Sequence, residues 1–216
     1  MRSGKVSAIL LAAGESRRMG TVNKLALDVG GVPLLRRTAM ALLSANLEEI
    51  VVVLGHQADT ARALLEGLPL RLVENPDYTH GQMTSVYQGM QVLHRPCDGV
   101  MICLSDQPLI ETVDINTLIR AFTEECSRSV LVPTYQGRRG NPIVLAWRHR
   151  ETILAGDRNL GCKRLLEKHP ALVWPYPMDN DHCVFDLDTA EDYERLCAKP
   201  GIHPRDLTAS ETLQEA

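Results

Sequence analysis

The chain alternates between short apolar runs and longer amphipathic stretches. Val6–Leu11 is mostly apolar, and a run of that length reads as a buried strand. Val32–Ala45 carries apolar residues at helical spacing, with Pro33 near the start, where a helix tolerates it. Glu49–Leu54 contains Ile50, Val51, Val52 and Val53, a β-branched strand. The pattern then predicts a helix over Asp59–Glu66, a short strand over Leu70–Val73, a helix over Gln82–Leu93 and a strand over Val100–Leu104. Val113–Glu125 predicts a helix, Ser129–Val132 a strand stopping at Pro133, and Ile143–Leu145 a further strand. Arg164–Lys168 and Glu191–Cys197 predict helices.

Near-continuous apolar strands separated by helices imply a mostly parallel sheet covered on both faces, a three-layer α/β/α Rossmann-like architecture. The 216 residues suit one domain, expected over 1–198, with a polar tail over 199–216. In such sheets ligands bind beyond the carboxyl ends of the strands. Three polar clusters fall there: Ala12–Lys24, Ser105–Pro108 and the loop after Leu72-Val73.

The first cluster runs through Leu11, Ala12, Ala13, Gly14, Glu15, Ser16, Arg17 and Arg18 to Lys24. Small residues let backbone N–H groups approach a ligand, and three cations stand with them, a combination suited to a polyphosphate. Neither common phosphate signature fits. Thr21 rather than Lys-Ser/Thr follows Gly20, and no glycine stands two residues after Gly14. A plain strand-to-helix turn with solvated arginines is the bland alternative.

The net charge of −4 argues against a nucleic-acid or membrane-surface partner and makes the basic loop a local feature, which favours a small anionic ligand. No apolar segment approaches the ~20 residues of a membrane span. A cytoplasmic location is expected. Cys97, Cys103, Cys126, Cys162, Cys183 and Cys197 form no C-x-x-C pair, so reduced thiols rather than a zinc site are expected.

Asp106, at a strand tip beside a phosphate loop, suits magnesium, which takes one or two carboxylates plus substrate phosphates; a turn cap is the alternative. Asp186 and Asp188 alternate around Leu187, so both point the same way and need a cation or basic group between them. Thr189 and Asp192 fit a capping box. Asn75, Gly81 and Ser85 bridge a strand and a helix, either as turn residues or as anion and base contacts. Arg138-Arg139-Gly140-Asn141-Pro142 reads as a hairpin tip or as a lid over a second anionic substrate, with Lys163 free to join it.

In this order, these segments resemble the nucleotidyltransferases that attach a nucleotide to molybdopterin, and more broadly the GT-A-like pyrophosphorylases. The resemblance is carried by Leu11–Gly20 with Asn23-Lys24-Leu25, by Asn75, Gly81, Ser85 and Gly89, by Ser105-Asp106-Gln107-Pro108, by Arg139-Gly140-Asn141-Pro142 and by Asp186–Asp192. Ala12-Ala13 and Gln107 resemble the cytidylyl branch. Ser105, Ala190 and Lys163 depart from the common glycine, proline and arginine, and lysine cannot reproduce arginine's bidentate contact.

The resemblance implies transfer of CMP from CTP to molybdopterin with release of pyrophosphate. Mg2+, or Mn2+ in its place, would be held by Asp106 and Asp188. Lys24, Arg18 and Asp106 would be catalytic. Leu11, Ala12, Ala13, Gly14, Ser16, Arg17, Asn75, Gly81, Ser85 and Ser105 would join them around the nucleotide. Gln107, Arg139, Gly140, Asn141, Pro142 and Lys163 would meet the acceptor, with transient contact to a molybdoenzyme or its chaperone. The alternatives are transfer using GTP or to a sugar or polyol phosphate, a relative recruited as an NAD(P)H-dependent reductase, and a non-catalytic cofactor carrier.

Overall fold

The computed structural model describes residues 4–15, 23–125, 129–155, 170–200 and 202. Ser16, Arg17, Arg18 and Lys163 lie outside the described residues, as do Cys126, Cys162, the helix expected over Arg164–Lys168 and nearly all of the expected tail.

Eight strands form one sheet in the order β3-β2-β1-β4-β7-β5-β6, with β8 on the other edge of β5. They are β1 Val6–Ala12, β2 Ile50–Leu54, β3 Arg71–Glu74, β4 Gly99–Leu104, β5 Val130–Tyr135, β6 Arg138–Arg139, β7 Ile143–Ala146 and β8 Val173–Pro177. Among the described residues the α-helices are α1 Leu34–Leu43, α2 Ala58–Leu64, α3 Gln82–Val92, α4 Thr112–Glu124, α5 Arg150–Leu154 and α6 Ala190–Cys197. Only β6 and β7 run against the rest. The expected mixed α/β fold with a mostly parallel sheet is what forms.

The layering follows from the period of β1. Val6, Ala8, Leu10 and Ala12 point to one face, where Leu35, Leu42, Ala61, Ile115, Leu118 and Phe122 of α1, α2 and α4 cover them. Ile9 and Leu11 point to the other, under Val86 and Met90 of α3 and Ile153 of α5. Gly89 belongs to this packing, because a Cβ there would stand 2.5 Å from Ile9 Cγ2. That contact accounts for Gly89 as a helix-on-strand residue. The chain builds β1, β2 and β3 outward in one direction, then crosses to β4 on the other side of β1. Such a reversal opens a crevice at the carboxyl ends of β1 and β4.

Two expectations change. The strand ending at Pro133 instead continues through it to Tyr135, because β5 exchanges partners there. Its pairing with β7 covers only Val130 and Leu131, Pro133 needs only its carbonyl for Gly140 N–H at 2.8 Å, and β6 takes over at Thr134 and Tyr135. The basic turn is thus a two-residue hairpin on Gln136 and Gly137, at φ 48° and 78°, with Arg138 and Arg139 in a strand. The second change is β8, which its alternating prolines hid. No helix among the described residues is long and apolar enough to cross a membrane.

Candidate active site

The crevice holds a cleft of about 300 Å³. Ala13 and Gly14 form one wall, where β1 ends. A Cβ built on Gly14 would meet nothing within 4 Å, so packing does not require glycine there and the bare backbone borders open space. Lys24 enters from a short 3-10 turn that Asn23 caps by accepting Leu25 N–H at 3.0 Å. Asn23 is itself held by Gln57, whose side-chain oxygen accepts from Asn23 Nδ2 at 2.6 Å.

The buried Lys24 ammonium donates to Asp106 Oδ2 at 3.0 Å and to Asp188 Oδ1 at 3.2 Å. The basic group therefore stands between Asp188 and Asp106, not between Asp188 and Asp186, the two carboxylates that the sequence pairs. Asp106 stands just past the end of β4, beside Ser105, whose N–H donates to Leu11 O at 3.3 Å and ties the ends of β1 and β4 together. Asp188 arrives on the strand-like segment before α6. Leu187 N–H donates to Asp106 O at 2.8 Å, and the Thr189–Asp192 capping box fixes the following helix. Leu187 is fully buried between its acidic neighbours. Asp186 turns to Gln107, accepting from Nε2 at 3.1 Å. Burial first, then the Asp106 charge, pushes the Asp186 carboxyl above its usual range, although part of the residue is open to solvent.

The donor set fits a hard divalent cation. Asp106 Oδ1 is buried and has no hydrogen-bond partner among the described residues. Also among them, no three His, Cys, Asp or Glu side chains converge to cage an ion. Two carboxylates with room for phosphate and water oxygens suit magnesium better than a complete protein shell would.

A second cleft of about 410 Å³ opens across Asp188, with Arg138, Arg195, Tyr135 and Phe185 around it. The Lys24–Asp188 pair is therefore the wall between the two clefts.

Other sequence-selected residues play a different part. Gln107 is buried and donates its amide to Cys183 O at 3.0 Å and to Asp186 at 3.1 Å, so it braces the acidic segment with both amide hydrogens. Gly140 packs so closely that a Cβ would stand 2.1 Å from Cys183 O; Asn141 N–H donates to that same carbonyl at 2.9 Å, and the Asn141–Pro142 peptide is cis. Arg139 is exposed, and it is its neighbour Arg138 that borders the second cleft. Asn75 is buried, donating to Thr84 Oγ1 at 2.8 Å and Ser85 Oγ at 2.9 Å; of these, Ser85 lines the first cleft and Asn75 supports it. Gly81, at φ 105°, makes the turn into α3 without itself bordering the cleft. Sequence reasoning gave no role to Tyr78 and Gln82, which border it. An aromatic and an amide flanking the Gly81 turn were the available signal.

The family model for the MobA-like NTP transferase domain matches residues 8–172. This chain belongs to that family. It is 31% identical over 205 residues to a probable molybdenum cofactor guanylyltransferase of Natronomonas pharaonis, covering 94% of this chain and 96% of the relative. It is 30% identical over 200 residues to the nicotine blue oxidoreductase of Paenarthrobacter nicotinovorans, covering 88% and 96%. Among solved structures, a Mycobacterium tuberculosis protein superposes with a TM-score of 0.77 at 22% identity, over 91% of this chain and all of that one, and has also been solved with manganese. Family membership supports an enzyme of the nucleotidyltransferase type.

Proposed function

We propose that this chain transfers CMP from CTP to molybdopterin in the cytoplasm, releasing pyrophosphate. The observation that carries the reading is Lys24 bridging Asp106 and Asp188 on the wall shared by two clefts. Nucleotidyl transfer needs that layout, with a triphosphate on one side, an acceptor on the other and charge compensation where they meet. The guanylyltransferase relative supports the acceptor class. The Ala12-Ala13 pair and Gln107 support CTP over GTP through their resemblance to the cytidylyl branch.

Bound by Asp106 and Asp188, magnesium would neutralise phosphate charge, and the manganese complex of the structural neighbour accords with such an ion. The protein's own contributions follow from its charges. The Gly14 backbone receives phosphate oxygens. Lys24 is placed to exchange a carboxylate for the α-phosphate, with Arg18 as a second cation. An acceptor phosphate is already ionised at neutral pH, so no side chain has to remove a proton. Arg138 and Arg195 border the cleft in which that acceptor would lie.

The near-full-length similarity to nicotine blue oxidoreductase favours a second reading, reduction of a small pigment by NAD(P)H. Thermal shifts with CTP, GTP, ATP, UTP and NADH, each with magnesium, separate the two. The largest shift is expected with CTP. A large shift with NADH alone overturns the transferase reading, and a larger shift with GTP overturns the choice of base.

A further inference from the structure

The four nucleoside triphosphates differ only in the base, so any base preference must come from residues that touch it. The sheet order separates the cleft into two sides. Asp106 follows β4 on one side of β1, whereas Tyr78, Gln82 and Ser85 follow β3, two strands away on the other. The charged lining residues Lys24 and Asp106 meet each other on the β4 side. The lining on the β3 side carries no charge. A triphosphate held at Gly14 and Lys24 directs its nucleoside toward that neutral side.

Two features there suit a heterocycle. Tyr78 is pressed against the end of the sheet. A Cβ on Gly55 would lie 2.7 Å from Ala13 Cβ and 2.9 Å from Tyr78 Cβ, so only glycine lets Tyr78 sit beside Ala13. The His56 ring is tilted against it, with 6.1 Å between centroids and 57° between planes. Gln82, at the start of α3, is exposed, and its amide makes no hydrogen bond among the described residues. Ser85 differs, since its hydroxyl already accepts from Asn75. An aromatic face takes any base by stacking, while an amide with a free donor and a free acceptor reads a base edge.

We propose that Tyr78 and Gln82 are the base-contacting residues of the cleft, Tyr78 by stacking and Gln82 by setting the preference among bases. This rests on the nucleotide reading above. The test is calorimetric binding of CTP, GTP, UTP and ATP with magnesium to the wild type and to the Gln82→Ala, Tyr78→Ala and Tyr78→Phe variants.

Gln82→Ala should narrow the gap between the best-bound nucleotide and the next by about tenfold, the size of one edge contact. Tyr78→Ala should weaken all four by at least about tenfold, and Tyr78→Phe should restore them. If Gln82→Ala leaves the ratios among the four unchanged, the assignment is overturned while the nucleotide site stands. The same holds if the wild type binds all four alike. If the wild type binds none, both the assignment and the transferase reading fall.

Discussion

Replacing Lys24 with methionine removes the ammonium and keeps most of the side chain's volume. In the native protein that ammonium sits 3.0 Å from Asp106 and 3.2 Å from Asp188, with its side chain 11% exposed and each carboxylate 25% exposed. Breaking a fully buried pair costs ~3–5 kcal/mol, and an exposed pair ~0–1 kcal/mol. Because both carboxylates keep some water, about 1 kcal/mol per contact is the appropriate scale, or about 2 kcal/mol for the two. For a domain of this size that lowers Tm by roughly 4–8 °C. The variant also removes the Lys24 ammonium from between Asp106 and Asp188, which makes the two carboxylates a better site for a free divalent ion. Manganese at about ten times its Kd would return about 1.4 kcal/mol. The assay is a circular-dichroism melt of wild type and Lys24→Met, with and without manganese and without nucleotide. The expected result is a lower Tm for the variant and a larger manganese shift than in wild type. An unchanged Tm, or equal manganese shifts, would mean that Lys24 does not hold the two carboxylates together.

Asp106→Asn should abolish turnover with the fold intact, read by pyrophosphate release alongside a melt. Gly140→Ala drives a methyl into Cys183 O and should cost about 1–3 kcal/mol, read as a drop in Tm. Glu49 supplies a pH test remote from the clefts. Burial pushes its carboxyl up, but the N–H groups of Arg95 and His94 with the charges of His94 and Arg71 outweigh this and leave it below its ordinary 4.5. A depressed native pKa stabilises above the unfolded value and is lost as pH falls through the native one. Glu49→Gln should therefore melt lower than wild type at neutral pH, and the gap should close well below pH 4.5; a gap that persists there contradicts the assignment.

The strands of the parallel half were legible because β1, β2 and β4 are buried on both faces, so their apolar runs are nearly continuous, with Ser7 the one polar residue in them. Strands β6 and β8 were not, because two arginines and a Pro-Tyr-Pro run form strands only through pairing with β5. At the site, Lys24, Asp106 and Asp188 could be selected because charge beside strand ends is unusual. Their contact could not, since it joins segments 82 and 164 residues apart. The bracing contacts of Gln107 were not legible, because its local motif does not show that Cys183 O lies 3.0 Å from its amide. Tyr78 escaped notice because its place depends on Gly55 and Ala13, which come from two other strand ends.

The proposed activity is transfer of a cytidylyl group across the Lys24–Asp188 wall. Its most direct test is to incubate the protein with magnesium, molybdopterin and each nucleoside triphosphate, and to quantify pyrophosphate and the dinucleotide product together. Equal amounts of both are expected with CTP and much less with GTP. No pyrophosphate with any of the four, or faster release with GTP, would contradict it.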